Sequence, residues 1–229
     1  EGLHTLGVTG EELGGILITH EHIDHIQGLG VFSRKYKVPI YGTQGTLEGI
    51  RCCNSLGKMP DGLLHEVRAD EPFSIGGMKI CPFSISHDAR QPSGYRIENQ
   101  EKSVAVATDL GKYDGYTVEN LKNLNALVLE ANHDIHMLEV GPYPYPLKKR
   151  VMGDQGHLSN ELSGRLLCDI LHDGLQYVVL GHLSKENNYE ELAYETVKLE
   201  VSFGDNPYRG EDIPMMVAKR DTVSEIITL

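Results

Sequence analysis

Three imidazoles and a carboxylate fall within six positions, at His20, His22, Asp24 and His25 of the run His20-Glu21-His22-Ile23-Asp24-His25. Neutral imidazole and carboxylate together suit zinc, manganese or iron. A lone histidine is more often an ordinary surface or core residue than a ligand. Four ligand-type residues in six positions make a metal-site pattern. The apolar run Gly15-Ile16-Leu17-Ile18-Thr19 leads directly into them and reads as a short buried strand. Ligands anchored at the end of such a strand are held by its packing.

The surrounding pattern predicts the elements that hold this turn in place. A helix is expected from about Asp24 to Tyr36, then a strand over Val38-Pro39-Ile40-Tyr41. Thr43 is placed to cap a helix carrying Leu47 and Ile50, which Gly57 and Pro60 end. From Leu64 to Thr108 short β-rich runs, Met78 to Ser86 and Ser103 to Thr108 among them, alternate with Gly-Gly, Gln-Pro-Ser-Gly and Glu-Asn-Gln turn signals. Strand-like and helix-like runs then alternate: strand Ala126 to Glu130, helix Ser159 to Leu171, strand Tyr177 to Gly181 and helix Glu186 to Leu199. Pro214 to Val217 with Val223 to Leu229 predicts a closing hairpin. No repeat, low-complexity tract or linker divides the chain, so one mixed α/β domain over residues 1–229 is expected.

Composition narrows the setting. The 229 residues suffice for a substantial core, and no apolar run approaches a membrane span, so no membrane partner is expected. Cys52, Cys53, Cys81 and Cys168 form no Cys-x-x-Cys pair and no disulfide framework. A reducing, cytoplasmic location is the simpler reading. The chain opens at Glu1 without a visible signal peptide. A formal charge of −12 argues mildly against broad nucleic-acid affinity, although two divalent cations would reverse the local field.

The His-x-His-x-Asp-His run after a strand resembles the defining motif of the metallo-β-lactamase superfamily. That resemblance implies a four-layer αββα sandwich, two metals at one edge of its sheets, and further ligands at later strand ends. Ser86-His87-Asp88, Ala107-Thr108-Asp109 and Leu180-Gly181-His182 stand at three such ends. By the resemblance, His20, His22 and His87 hold one divalent ion, Asp24, His25 and His182 the other, and Asp109 bridges them. A hydroxide held between two such ions forms at neutral pH and attacks a bond that the ions polarise. Asp24 helps position it.

An all-His/Asp ligand set disfavours the zinc β-lactamases, which commonly place cysteine at the Asp109 position, and the flavodiiron proteins, which carry glutamate at the His22 position. Leu129-Glu130-Ala131-Asn132-His133 and Gly156-His157-Leu158-Ser159 point to the ribonuclease Z-like phosphodiesterases. There a similar pair protonates the leaving oxygen, so His157 is the implied general acid and Glu130 its orienting partner. Over most of its length the chain looks like the YycJ/WalJ family, through Thr19 to Gly30, Ala107 to Gly111, Leu129 to Asp134 and Gly156 to Glu161. Such proteins normally begin with two strands and a Gly-Ser-Ser-Gly-Asn turn, ahead of the segment at which this sequence opens. The family implies 5′-to-3′ exonuclease activity on DNA. The alternative is a small-molecule hydrolase acting on a cyclic phosphodiester, a thioester or a lactone. A non-catalytic protein using the metals structurally is a second rival, against which the complete ligand set counts. Lys148 and Arg150 in Leu147-Lys148-Lys149-Arg150 are candidate DNA-backbone contacts, with a solvated helix face as the equal alternative. Tyr143 and Tyr145 are candidates for base stacking, with a packed surface loop at least as good a reading.

Overall fold

The computed structural model describes residues 2–229, which gather into two compact units, described separately below. The first takes the chain up to Ser84 together with Asp88–Asn99; the second takes Ile85–His87 and Gln100–Leu229.

The first unit opens with the short helix α1 (Gly2–Thr5) and then strand β1 (Ile16–Leu17). Helices α2 (Ile23–Ile26) and α3 (Leu29–Tyr36) follow, then β2 (Ile40–Gly42), α4 (Gln44–Cys52) and β3 (Leu64–Glu66). The three strands form a parallel sheet in the order β1-β2-β3. Its core is Ile18, Ile26, Leu29, Ile40, Leu47, Ile50 and Leu56, so α2, α3 and α4 turn apolar residues to the strands. Strands β4 (Phe73–Ile75), β5 (Met78–Ser84) and β6 (Ser93–Asn99) make an antiparallel meander. Its Tyr95 hydroxyl donates to the Ile18 carbonyl at 2.8 Å, and the Ser93 N–H donates to the Thr19 carbonyl at 2.9 Å. Burial pushes the Tyr95 phenol up to about 12, so it stays a donor. The backbone entering the histidine run is thereby pinned on one side by β2 and on the other by β6.

The second unit is a four-stranded parallel sheet with helices in the crossovers. In chain order it contains β7 (Lys102–Ala107), α5 (Gly115–Leu121), β8 (Ala126–Glu130), α6 (Ile135–Val140) and α7 (Tyr145–Val151). Then come α8 (Asn160–Ile170), β9 (Tyr177–Gly181), α9 (Glu190–Phe203) and β10 (Met215–Val217). The strands pair in the order β7-β8-β9-β10, so all four carboxyl ends lie at one edge.

Four expectations change. The helix predicted from Asp24 to Tyr36 is two helices joined at Gln27 and Gly28, where glycine weakens the helix. The strand predicted over 38–41 lies at Ile40–Gly42. The helix predicted from Glu186 starts only at Glu190. The buried Asn188 amide donates to the carbonyls of Ala131 and Asn132 and holds the preceding turn out of helical geometry. The closing hairpin does not form: β10 pairs in parallel with β9, and residues 223–229 carry no strand. Helices α5 and α6 had no sequence prediction, and α7 entered only as the helix-face alternative for Leu147 to Arg150. They are six or seven residues long, too short to display a period, although Asp114 and Asp134 cap the first two through bonds to Thr117 and Met137.

Candidate metal centre

In the first unit the backbone leaves β1 extended and enters α2 at His22, its N-cap residue. Extended geometry puts His20 and His22 on one side, and the first helical turn brings Asp24 and His25 round to them. The His20 ring centroid is 4.6 Å from that of His22 and 4.1 Å from that of His25. The Thr19 hydroxyl bridges His20 Nδ1 at 3.1 Å and His25 Nδ1 at 3.5 Å. His25 Nε2 stands 3.7 Å from Asp24, and His22 Nε2 3.8 Å from Asp88. Glu21, between the two histidines, points the other way. It lies against Gly49, where a Cβ would meet it at 2.3 Å, and accepts from the Arg90 N–H at 2.9 Å.

In the second unit the parallel strands deliver Asp109, Glu130 and His182 at their carboxyl edge, where the loop residues His87 and His157 meet them. Asp109 is buried, and its Oδ1 lies 3.6 Å from His87 Nε2 and 3.5 Å from His182 Nε2. Two ligands on one tetrahedral ion, with bonds of about 2.0–2.1 Å, are separated by roughly 3.4 Å. The two imidazoles also engage their other nitrogens as ligating histidines do: His87 Nδ1 meets the Gly156 carbonyl at 3.0 Å, and His182 Nδ1 meets Glu130 at 2.8 Å. Ligand atoms of Asp109, Glu130, His157 and His182 all lie within 4.8 Å of one another. The donor set fits a divalent cation. Asp109 and His182 adopt left-handed backbones, φ 62° and 56°, which turn their side chains back over the sheet edge.

Glu130 has no solvent exposure and accepts four hydrogen bonds. Oε1 takes His157 Nδ1 and His182 Nδ1, each at 2.8 Å. Oε2 takes the N–H groups of Leu110 at 2.9 Å and Leu158 at 3.1 Å. Burial alone would raise its pKa and favour the neutral acid. The hydrogen bonds that His157 and His182 donate overcome that and hold the carboxyl below the usual carboxylate range. Since His157 gives Nδ1 to Glu130, its Nε2 is the nitrogen that a substrate can meet.

Sequence reasoning left several supporting groups without a role. Asn132 donates to the His182 carbonyl at 2.8 Å, steadying the left-handed turn, and Asp134 caps α6. The Ser86 hydroxyl donates to the Asp154 carbonyl at 2.7 Å, and Lys112 pairs with the Asp154 carboxylate at 2.7 Å. These contacts seat the 152–156 loop that leads into His157. The Ser86 signal was its place beside a predicted ligand; the 152–156 loop gave none. Of the candidate substrate contacts, Lys148 donates to the Glu139 carbonyl at 2.7 Å, a tie between α6 and α7. Arg150 is exposed, one residue from Val151, whose carbonyl accepts from the His157 N–H at 2.9 Å. Tyr145 is exposed beneath the Lys149 ammonium.

Comparison with known proteins identifies the family. A profile described as the beta-lactamase superfamily domain matches residues 4–182. The chain is 36% identical over 186 residues to exodeoxyribonuclease YycJ of Bacillus anthracis, covering 81% of this chain and 70% of that protein. It is 38% identical over 187 residues to exodeoxyribonuclease WalJ of Streptococcus pneumoniae, covering 82% and 70%. The metallo-β-lactamase-fold protein YhfI of Bacillus subtilis superposes with a TM-score of 0.66 at 17% identity, covering 94% of this chain and 78% of that one, a likeness of fold. The protein is an enzyme of the divalent-metal-dependent hydrolase type. It belongs to the metallo-β-lactamase superfamily and, within it, to the YycJ/WalJ family.

Proposed function

We propose that the enzyme is a 5′-to-3′ DNA exonuclease with two divalent ions held by His20, His22, Asp24, His25, His87, Asp109 and His182. The observation that carries the phosphodiester reading is the buried Glu130 carboxylate gripping His157 Nδ1 at 2.8 Å. An expelled alkoxide leaves poorly until protonated, and a histidine oriented in this way is a suitable donor. The DNA reading rests on two relatives that bear the name exodeoxyribonuclease. When bound, two ions supply a nucleophile at neutral pH and polarise the phosphoryl group. Glu130 accepts the Nδ1–H and orients the ring; in its doubly protonated form His157 gives the Nε2 proton to the departing oxygen as the P–O bond breaks, leaving the Nδ1–H tautomer, which solvent reprotonates. Arg150 and Lys148 are the proposed backbone contacts, Arg150 the better placed of the two.

The proposal is tested on 5′-end-labelled duplex DNA with metal-reconstituted protein. Cleavage from the 5′ end is expected, lost in Asp109→Ala and reduced roughly 10²-fold or more in His157→Ala. Full turnover by His157→Ala would sink the leaving-group role. The charge of −12 favours a second reading, a small cyclic phosphodiester as substrate. A folded, metal-loaded protein inert on DNA would select it.

A further inference from the structure

We propose that Lys219 and Arg220, just beyond β10, form a phosphate-binding edge of the active site and grip the nucleic-acid strand outside the scissile bond. This rests on the exonuclease reading. Parallel pairing puts the carboxyl end of β10 at the same sheet edge as those of β7, β8 and β9, which deliver Asp109, Glu130 and His182. Ligands of parallel sheets bind at that edge.

The chain does not turn away there. The Ala218 N–H donates to the Leu180 carbonyl at 2.8 Å, extending the β9–β10 ladder. The Arg220 guanidinium donates to the carbonyl of Leu183, the residue after His182, at 2.6 Å. That contact uses one N–H of a five-donor fork, and the remainder suits a phosphate oxygen pair. Lys219 and Arg220 are both exposed, and among the described residues neither is ion-paired to a carboxylate. In a protein of charge −12 a polyanion needs a local cationic landing site, and this segment supplies one beside His182.

The test uses the metal-loaded full chain, with the double variant Lys219→Gln/Arg220→Gln and the single variant Arg220→Lys. Each is compared with wild type on an oligonucleotide and on bis(p-nitrophenyl) phosphate, and in binding a phosphorothioate oligonucleotide by fluorescence anisotropy across salt concentrations. For the double variant, the loss of kcat/KM on the oligonucleotide is expected to exceed the loss on the small diester by roughly tenfold. The slope of log affinity against log salt should become shallower by about one to two. Arg220→Lys should recover much of the slope but less of the affinity. Equal losses on the two substrates, or an unaltered slope, with wild type still cleaving DNA, would overturn this inference alone. Wild type that neither binds nor cleaves DNA would overturn both this inference and the exonuclease reading.

Discussion

Glu130 connects the donor cluster to the proton-transfer group. Because one buried carboxylate accepts from both His157 and His182, the proposed acid and a proposed ligand share an anchor and are aligned together. Three positions later, His133 is buried to 2% exposure, and its Nδ1 finds no hydrogen-bond partner among the described residues. Burial pushes this imidazole down to about 4 from 6.5, so it is neutral in the native state at neutral pH. Between those values the unfolded chain binds the proton and the folded one does not. Stability is therefore highest above pH 6.5 and falls as acid is added, by up to about 3 kcal/mol from this group. Denaturant titrations of the protein and of His133→Asn at pH 7 and pH 4.5 test this. The variant should lose less stability on acidification, and identical pH profiles would exclude His133 as the source.

Among the elements, β8 and β9 were legible from residue types alone because each carries a continuous apolar run, residues 126–129 and 177–181, bounded by polar residues. Helix α8 was legible from its period and from Ser159, whose hydroxyl accepts from the Leu162 N–H. The site's ligand types were legible as a motif. Their supports were not, because the partners of Glu130 come from positions 110, 157, 158 and 182, and no local period records such a meeting. The 152–156 loop illustrates the same limit. It is seated by Ser86, His87 and Lys112, and by the close approach of Gly111, where a Cβ would stand 2.3 Å from the Asp154 carbonyl oxygen and 2.5 Å from the Gly156 nitrogen. Backbone atoms cannot swing aside as a side chain can. Gly111→Ala should therefore displace the loop and with it His157, lowering kcat more than tenfold while costing about 1–3 kcal/mol of stability. Turnover assays alongside thermal melts would show it, and unchanged kcat would mean the loop does not set the position of His157.

Across the whole molecule, the superfamily profile matches residues 4–182, with residues of both compact units among them, and we propose that residues 1–229 act as one domain. Acidic groups outnumber basic ones, so cations held by Asp and His side chains relieve repulsion as well as serving chemistry. An ion present at about 100 times its Kd stabilises the native state by about 2.7 kcal/mol. In a chain of this size that is worth roughly 5–10 °C in Tm. Calorimetry with added metal and with excess chelator should show a single transition that drops by this amount on chelation. An unmoved Tm would count against metal binding by the native state, and two separated transitions against the one-domain reading.

The left-handed backbones at Asp109 and His182 carry an evolutionary consequence. Each position would be more comfortable as glycine, which has no Cβ to crowd a left-handed backbone, so the native state keeps a side chain there only while selection maintains the chemistry. A descendant relieved of catalysis would drift toward glycine there and fold more firmly for it. Glycine at these two positions in a homologue is then a mark of retired activity, readable from its sequence alone.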